Sequence, residues 1–256
     1  MKYNTMSDYK DFLKKSLSSS TANSYFQAID FLLSDQHQVD NIDIPLVFDK
    51  LQEIKYKNQY SKHKNALLKF CKFQGIELDN DTLSHLKSMN TDKKKKYRKQ
   101  KPVKLADIKN RIRAIHDKKL KLSYQTLLQT GMRVSELSQI GKSDCIIDKN
   151  SIEFEFDGKG NRKEKVVVYA KDNQRYFDSL LLLMDETLDG KKLFYSSGYL
   201  KNKATALGFQ CHDLRRAFAK LDLKENKDLK GTMKKMRHKD EKTTRIYTKS
   251  KVDIDE

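Results

Sequence analysis

The sequence predicts a mainly α protein with a small antiparallel β-sheet, and three observations carry that expectation. Apolar residues recur at helical spacing through most of the chain, one stretch alternates strictly between apolar and polar residues, and a strongly basic segment separates two apolar-rich parts.

The helical pattern begins near the start. Ser7 is placed to cap a helix carrying Phe12 and Leu13, and Ser20 a second with Tyr25, Ala28, Ile29, Leu32 and Leu33 on one face. Asn41 to Pro45 reads as a connector. Val47, Leu51 and Ile54 then mark a third helix, and Ala66, Leu67, Phe70 and Cys71 a fourth that Gly75 ends. Residues 1–87 are thus expected to form a small four-helix domain.

Residues 88–104, SMNTDKKKKYRKQKPVK, hold one of only two prolines and read as an interdomain linker. Like charges keep such a segment extended. Lys93, Lys94, Lys95, Lys96, Arg98, Lys99 and Lys101 are its candidate contacts to a phosphate backbone, a merely solvated tether being the alternative.

Residues 105–256 make the second domain. Ile108, Ile112 and Ile115 place one helix and Leu120 to Leu128 another, which Gly131 breaks. From Ser151 to Phe156 the chain alternates Ile152, Phe154 and Phe156 with Glu153 and Glu155. DGKGN then turns it into Lys165 to Tyr169, a β-hairpin and the only convincing sheet. Helical patterns resume at about Asp172 and continue to the end.

Composition narrows the function classes. At 256 residues and 37% hydrophobic content the chain can bury a core, and its apolar runs, none longer than Leu180 to Met184, are too short for a membrane span. The start has no apolar leader, and Cys71, Cys145 and Cys211 are too scattered for a disulfide framework or zinc ribbon, so a reducing cytoplasm is expected. Fifty-three Lys and Arg against thirty-five Asp and Glu leave a formal charge of +18, which points to a polyanionic partner. Every arginine lies from Arg98 onward. Guanidinium grips phosphate with a planar fork, so phosphate chemistry is assigned to the second part.

Four pieces of that part stand out: TGMRVSEL around Arg133, GKGN around Lys159, HDLRRAFA from His212, and RHKDEKTTRIY ending at Tyr247. As an ordered set they resemble the tyrosine recombinase/integrase family of site-specific DNA recombinases, over most of Leu105 to Tyr247. One box is T-G-hydrophobic-R-x-x-E-L, matched by Thr130 to Leu137; a second is H-D-L-R with a following F-A pair, matched by His212, Arg215, Phe218 and Ala219. A third is a histidine followed nine residues later by a tyrosine with threonine between, matched by His238, Thr243, Thr244 and Tyr247. The chain departs from the family in carrying Arg237 where glycine usually precedes that histidine, and in a short tail, TKSKVDIDE, after Tyr247.

The resemblance implies a helical core-binding (SAM-like) N-terminal domain and a mixed α/β catalytic domain that close around double-stranded DNA. Arg133 and Arg215 would hold charge on the nonbridging oxygens, with His238 as a third donor. Tyr247 would be the nucleophile, His212 would accept or relay its proton, and Lys159 would protonate the departing 5′ oxygen. The product is a 3′-phosphotyrosine, and no cofactor is expected: the sequence has no metal-ligand cluster and no phosphate-binding G-x-x-x-x-G-K-[ST] loop, and the mechanism needs neither metal nor ATP. Family members act as tetramers on paired sites, so a monomer or dimer is expected in free solution, nucleoid-associated when bound to DNA. Without a further N-terminal domain, a simple core-site recombinase is favoured over a heterobivalent phage integrase. A type IB topoisomerase and a nonenzymatic DNA-binding protein are the alternatives.

The other histidines, His37, His63, His85 and His116, read as surface or packing residues, Tyr25 and Tyr60 as core or interface, and Cys211 as a small buried hydrophobe.

Overall fold

The computed structural model describes residues 6–35, 42–91, 93, 102–158, 162–250 and 252–254. Two compact units divide the chain, Met1–Lys99 and Gln100–Glu256.

The first unit is helical among its described residues: α1 (Met6–Ser16), α2 (Ser19–Leu32), α3 (Ile44–Glu53), α4 (Lys57–Gln74) and α5 (Asn80–Thr91). Two caps differ from expectation. Ser7 lies inside α1, and Ser18 rather than Ser20 caps α2, its side chain accepting from the Thr21 amide. Asp43 caps α3 and puts Pro45 in its first turn, where a missing N–H is harmless. Gly75 closes α4 in the left-handed conformation at φ 72°. Tyr9, Leu13, Ile29, Leu51, Tyr60, Leu67, Phe70 and Leu86 fill the core. The two buried phenols keep hydrogen-bond partners, Tyr9 donating to the Ala66 carbonyl and Tyr60 to the Leu86 carbonyl. Helix α5 was not expected. Its apolar pattern is sparse, and what fixes it is tertiary: Leu86 and Met89 are buried and Leu86 receives the Tyr60 hydroxyl.

Ser88–Thr91 of the expected linker thereby form the last turn of α5, and Val103 and Lys104 form a strand. Lys93 donates to the Gln52 carbonyl at 2.7 Å and stands 5.5 Å from the centre of the Tyr60 ring. Lys94, Lys95, Lys96, Arg98, Lys99 and Lys101 lie outside the described residues.

The second unit runs β1 (Val103–Lys104), α6 (Leu105–Arg113), α7 (Lys118–Thr130), α8 (Val134–Leu137), β2 (Cys145–Asp148), β3 (Ser151–Asp157), β4 (Lys163–Tyr169), α9 (Gln174–Glu186), α10 (Ser197–Ala206), α11 (Cys211–Asn226), α12 (Leu229–Lys235), α13 (Glu241–Thr248) and β5 (Val252–Asp253). The expected hairpin is present, with Phe154 opposite Val166 and Ile152 opposite Val168. A third strand, β2, pairs antiparallel with β3 and was missed because Ile146 and Ile147 are more than half exposed and show no alternation. The inner face of the sheet joins α6, α7 and α9 in a core containing Ile108, Tyr124, Leu127, Met132, Phe154, Phe177, Leu180 and Leu214.

A smaller contact closes the unit. After α13 the chain returns as β5, parallel to β1, pairing Val103 with Val252. Val252 packs with Leu105 and Ala217, and Lys220 donates to its carbonyl at 2.6 Å.

Candidate active site

Three corners of the second unit bring the expected residues together. The first is the break after α7. Gly131 ends that helix at φ 60°, and a Cβ there would meet the Phe218 ring at 2.3 Å, so both conformation and space require glycine. The turn leads directly into α8, at whose N-terminus Arg133 stands. Glu136, one turn on and 2% exposed, accepts from the Arg133 amide at 2.8 Å and from its guanidinium.

The second corner is the first turn of α11. His212 and Arg215 are three residues apart and share a face. Arg215 is 1% exposed; it donates to the Gly131 carbonyl, to the Met236 carbonyl at 2.6 Å and to His238 Nε2 at 3.1 Å. Among the described residues no carboxylate forms an ion pair with it. Burial, then Arg133 and Arg237, lower its pKa to about 10, which still leaves it charged at neutral pH.

The third corner joins α12 to α13. Arg237 turns the chain at φ 55°, unfavourable by about 1–2 kcal/mol for a residue with a side chain. His238 follows, its amide bonded to the Met233 carbonyl. One turn apart on α13, Thr244 and Tyr247 face the same way: Thr244 Oγ1 is 3.0 Å from His238 Nδ1, and Tyr247 Oη is 2.6 Å from His212 Nε2. The Tyr247 ring centre lies 4.9 Å from that of His238 and 5.7 Å from the Arg215 guanidinium carbon.

Both imidazoles are neutral over the ordinary range. Burial, then the charges of Arg216 and Arg215, push His212 down to about 4; burial, then Arg215, Arg133 and Arg237, do the same to His238. Arginine has no acceptor, so His238 Nε2 must accept from Arg215, and its one N–H, on Nδ1, goes to Thr244. As it stands His238 has no donor left for a phosphate. Its Nε2 is engaged by Arg215 and its Nδ1 by Thr244.

Five of the six expected site residues, Arg133, His212, Arg215, His238 and Tyr247, therefore converge; Lys159 lies outside the described residues. Two partners had no assigned role. Glu136 carries its charge nearly buried: burial pushes its pKa up, but the Arg133 amide, Arg237 and the Arg133 guanidinium outweigh that and hold it low. Thr244 fixes the His238 tautomer. Both stood inside the quoted boxes, so the signal was there, but contacts reaching across three helices cannot be read from spacing. His63, by contrast, is a packing residue, 4% exposed with Nδ1 2.8 Å from the Gln59 carbonyl, and Cys211 is buried with its thiol pushed up to about 11.

Residues 97–253 match the sequence model of the Phage integrase family. The chain belongs to that family. Among phage integrase relatives, the tyrosine recombinase XerA of Saccharolobus solfataricus is 32% identical over 139 residues, 50% of this chain and 45% of that one, so the match spans a little under half of its length. The fold agrees with that of a lambda integrase (75–356) dimer bound to a COC′ core site, with a TM-score of 0.68 at 17% identity over 95% of this chain and 93% of that one. It also agrees with the XerH site-specific recombinase bound to difH substrate, at 0.63 and 18% over 96% and 82%. The integrase match covers all five converging residues.

Proposed function

We propose that the chain is a site-specific tyrosine recombinase that cuts and rejoins double-stranded DNA through a 3′-phosphotyrosine. The observation that carries this reading is the Tyr247 hydroxyl 2.6 Å from His212 Nε2, beside the buried Arg215. A buried cation without a carboxylate partner is costly alone and favours an anion at its side, which a scissile phosphate would supply.

In the proposed step Tyr247 Oη attacks the phosphorus, the O–P bond to the tyrosine forms, and the bond to the 5′ oxygen breaks. The phenol proton passes to neutral His212, and Lys159 gives the leaving oxygen its proton. Arg133 and Arg215 hold the negative charge, with Glu136 and His238 orienting them. Phosphodiester energy is kept in the phosphotyrosine, so rejoining by the reverse attack needs no metal and no ATP.

The partner is double-stranded DNA, in line with the +18 charge and with relatives crystallised as DNA complexes. Assembly as a homo-tetramer on paired sites is supported by a lambda integrase tetramer bound to a Holliday junction, at a TM-score of 0.64. The helical first unit and the basic segment that follows α5 would contribute further contacts to the DNA. No described helix is long and apolar enough to cross a membrane, and action in the cytoplasm, on the nucleoid, fits the reading.

The test is covalent trapping: the protein is incubated with nicked duplexes made from its native flanking DNA, and SDS-resistant complexes are recovered and sequenced. Wild type should give an adduct at a defined site, and Tyr247→Phe none while still binding. Binding without any adduct would leave a nonenzymatic DNA-binding protein. Relaxation of supercoils on DNA lacking the site would make it a topoisomerase.

A further inference from the structure

Arg237 occupies the position where the third box usually has glycine, in a backbone conformation that glycine adopts without strain. Its side chain, 10% exposed, donates through Nη1 to the Lys235 carbonyl of its own turn at 3.1 Å and meets three further partners from separate elements. Nη2 donates to Glu136 Oε2 at 3.0 Å. Nε is 3.0 Å from Glu164 Oε2, an ion pair off the line of a hydrogen bond, and the guanidinium lies 5.3 Å from the centre of the Phe156 ring.

Each partner leads elsewhere. Glu136 holds Arg133 by its amide and its guanidinium. Glu164 stands on β4, at the turn end of the hairpin, where it pairs with Phe156 and where a Cβ on Gly158 would come within 2.4 Å of its carboxyl carbon; glycine there leaves the carboxylate room to reach Arg237. The next residue along the chain is His238. The Arg133 turn, the hairpin and the His238 corner thus meet on one side chain.

We infer that Arg237 is a positioning residue for strand cleavage, tying the β3–β4 hairpin through Glu164 to the Arg133–Glu136 pair and so fixing where Arg133 presents its charge. The inference rests on the recombinase reading. Arginine suits the role because its planar fork can face two carboxylates and a ring at once, whereas lysine offers a single point of charge.

Two measurements on Arg237→Gly, Arg237→Lys and Glu164→Gln test it. The first is hydrogen exchange of the free protein. Arg237→Gly should speed exchange of the β4 amides Lys163 to Val166 at least tenfold while the melting temperature holds or rises, since the strained backbone is relieved. The second is single-turnover adduct formation on the trapped site. Arg237→Gly and Glu164→Gln should each slow it about tenfold to a hundredfold, as a misplaced catalytic group does, with DNA affinity unchanged. Their double variant should be no slower than the worse single, and Arg237→Lys should recover part of the rate.

Unchanged β4 exchange, a wild-type cleavage rate in Arg237→Gly, or losses that multiply in the double variant would each overturn the inference. A wild type that forms no adduct would instead overturn the recombinase reading, and the exchange measurement would still decide whether the tie exists.

Discussion

Arg215 donates to Nε2 of His238 at 3.1 Å, and that contact determines which nitrogen of the imidazole carries its proton. With Nε2 accepting, the N–H sits on Nδ1 and meets Thr244 Oγ1 at 3.0 Å. A buried arginine is thus oriented by a neutral histidine, which is oriented in turn by a threonine on the helix that carries Tyr247.

Thr244→Val tests that chain of contacts. The substitution keeps the shape and removes the acceptor, leaving a buried N–H unpaired at a cost of about 1–3 kcal/mol. Thermal unfolding should show the loss, and adduct formation should slow with little change in DNA binding. Cleavage at the wild-type rate would mean that Arg215 does not depend on the His238 tautomer.

The histidines set a pH dependence. Both have folded values of about 4 against 6.5 in the unfolded chain, so between these limits the unfolded state binds more protons. Their contribution to stability is complete above 6.5 and is lost as the pH falls towards 4; the more exposed His212 contributes the smaller share. Cleavage should instead hold down to about pH 5 and halve only near 4, because His212 must be neutral in the folded site to accept the Tyr247 proton. A rate that halves near 6.5 would show that His212 titrates as an ordinary histidine in the working site.

Lys159 is tested by changing the leaving group. Lys159→Ala should cripple cleavage of ordinary DNA yet cut a substrate with a bridging 5′ sulfur nearly as well as wild type, since a thiolate leaves without a proton. Arg133→Ala and Arg215→Ala should gain nothing from the sulfur. Lys163 and Lys165 are the nearby alternatives, but each is paired with the neighbouring strand, to Asp157 at 3.0 Å and Glu153 at 2.9 Å. Rescue at either of them in place of Lys159 would move the acid along the hairpin.

The basic segment is read by salt. Replacing Lys94, Lys95 and Lys96 by Gln should flatten the log–log salt dependence of DNA binding by about 0.9 for each phosphate contact removed. Lys93→Gln should do less, because its ammonium already serves Gln52 and Tyr60. An unchanged slope in the triple variant would make the segment a solvated tether.

The helices and the hairpin were legible in the sequence because their apolar residues repeat with the period of the element that buries them. Helix α5 and strand β2 were not. One is fixed by Tyr60 from another helix, and the other is a sheet edge whose isoleucines face outward. The site followed the same division. Arg133, His212, Arg215, His238 and Tyr247 were named from spacing, whereas the direction of the Arg215–His238 bond and the double engagement of Arg237 depend on backbone turns at Gly131 and Arg237 that no period encodes.

The pairing of β5 with β1 bears on the order in which the second unit can be completed as it is synthesised. Its partners lie almost the whole unit apart in sequence, Val103 emerging near the beginning and Val252 near the end. Contacts of such high sequence separation carry the largest loop-closure entropy and form late. Arg133, His212 and Arg215 all leave the ribosome before Tyr247, and β5, which pairs with β1 and packs on Ala217 of α11, follows it. A growing chain therefore accumulates its cationic groups first and acquires a docked tyrosine only when translation of this unit is over.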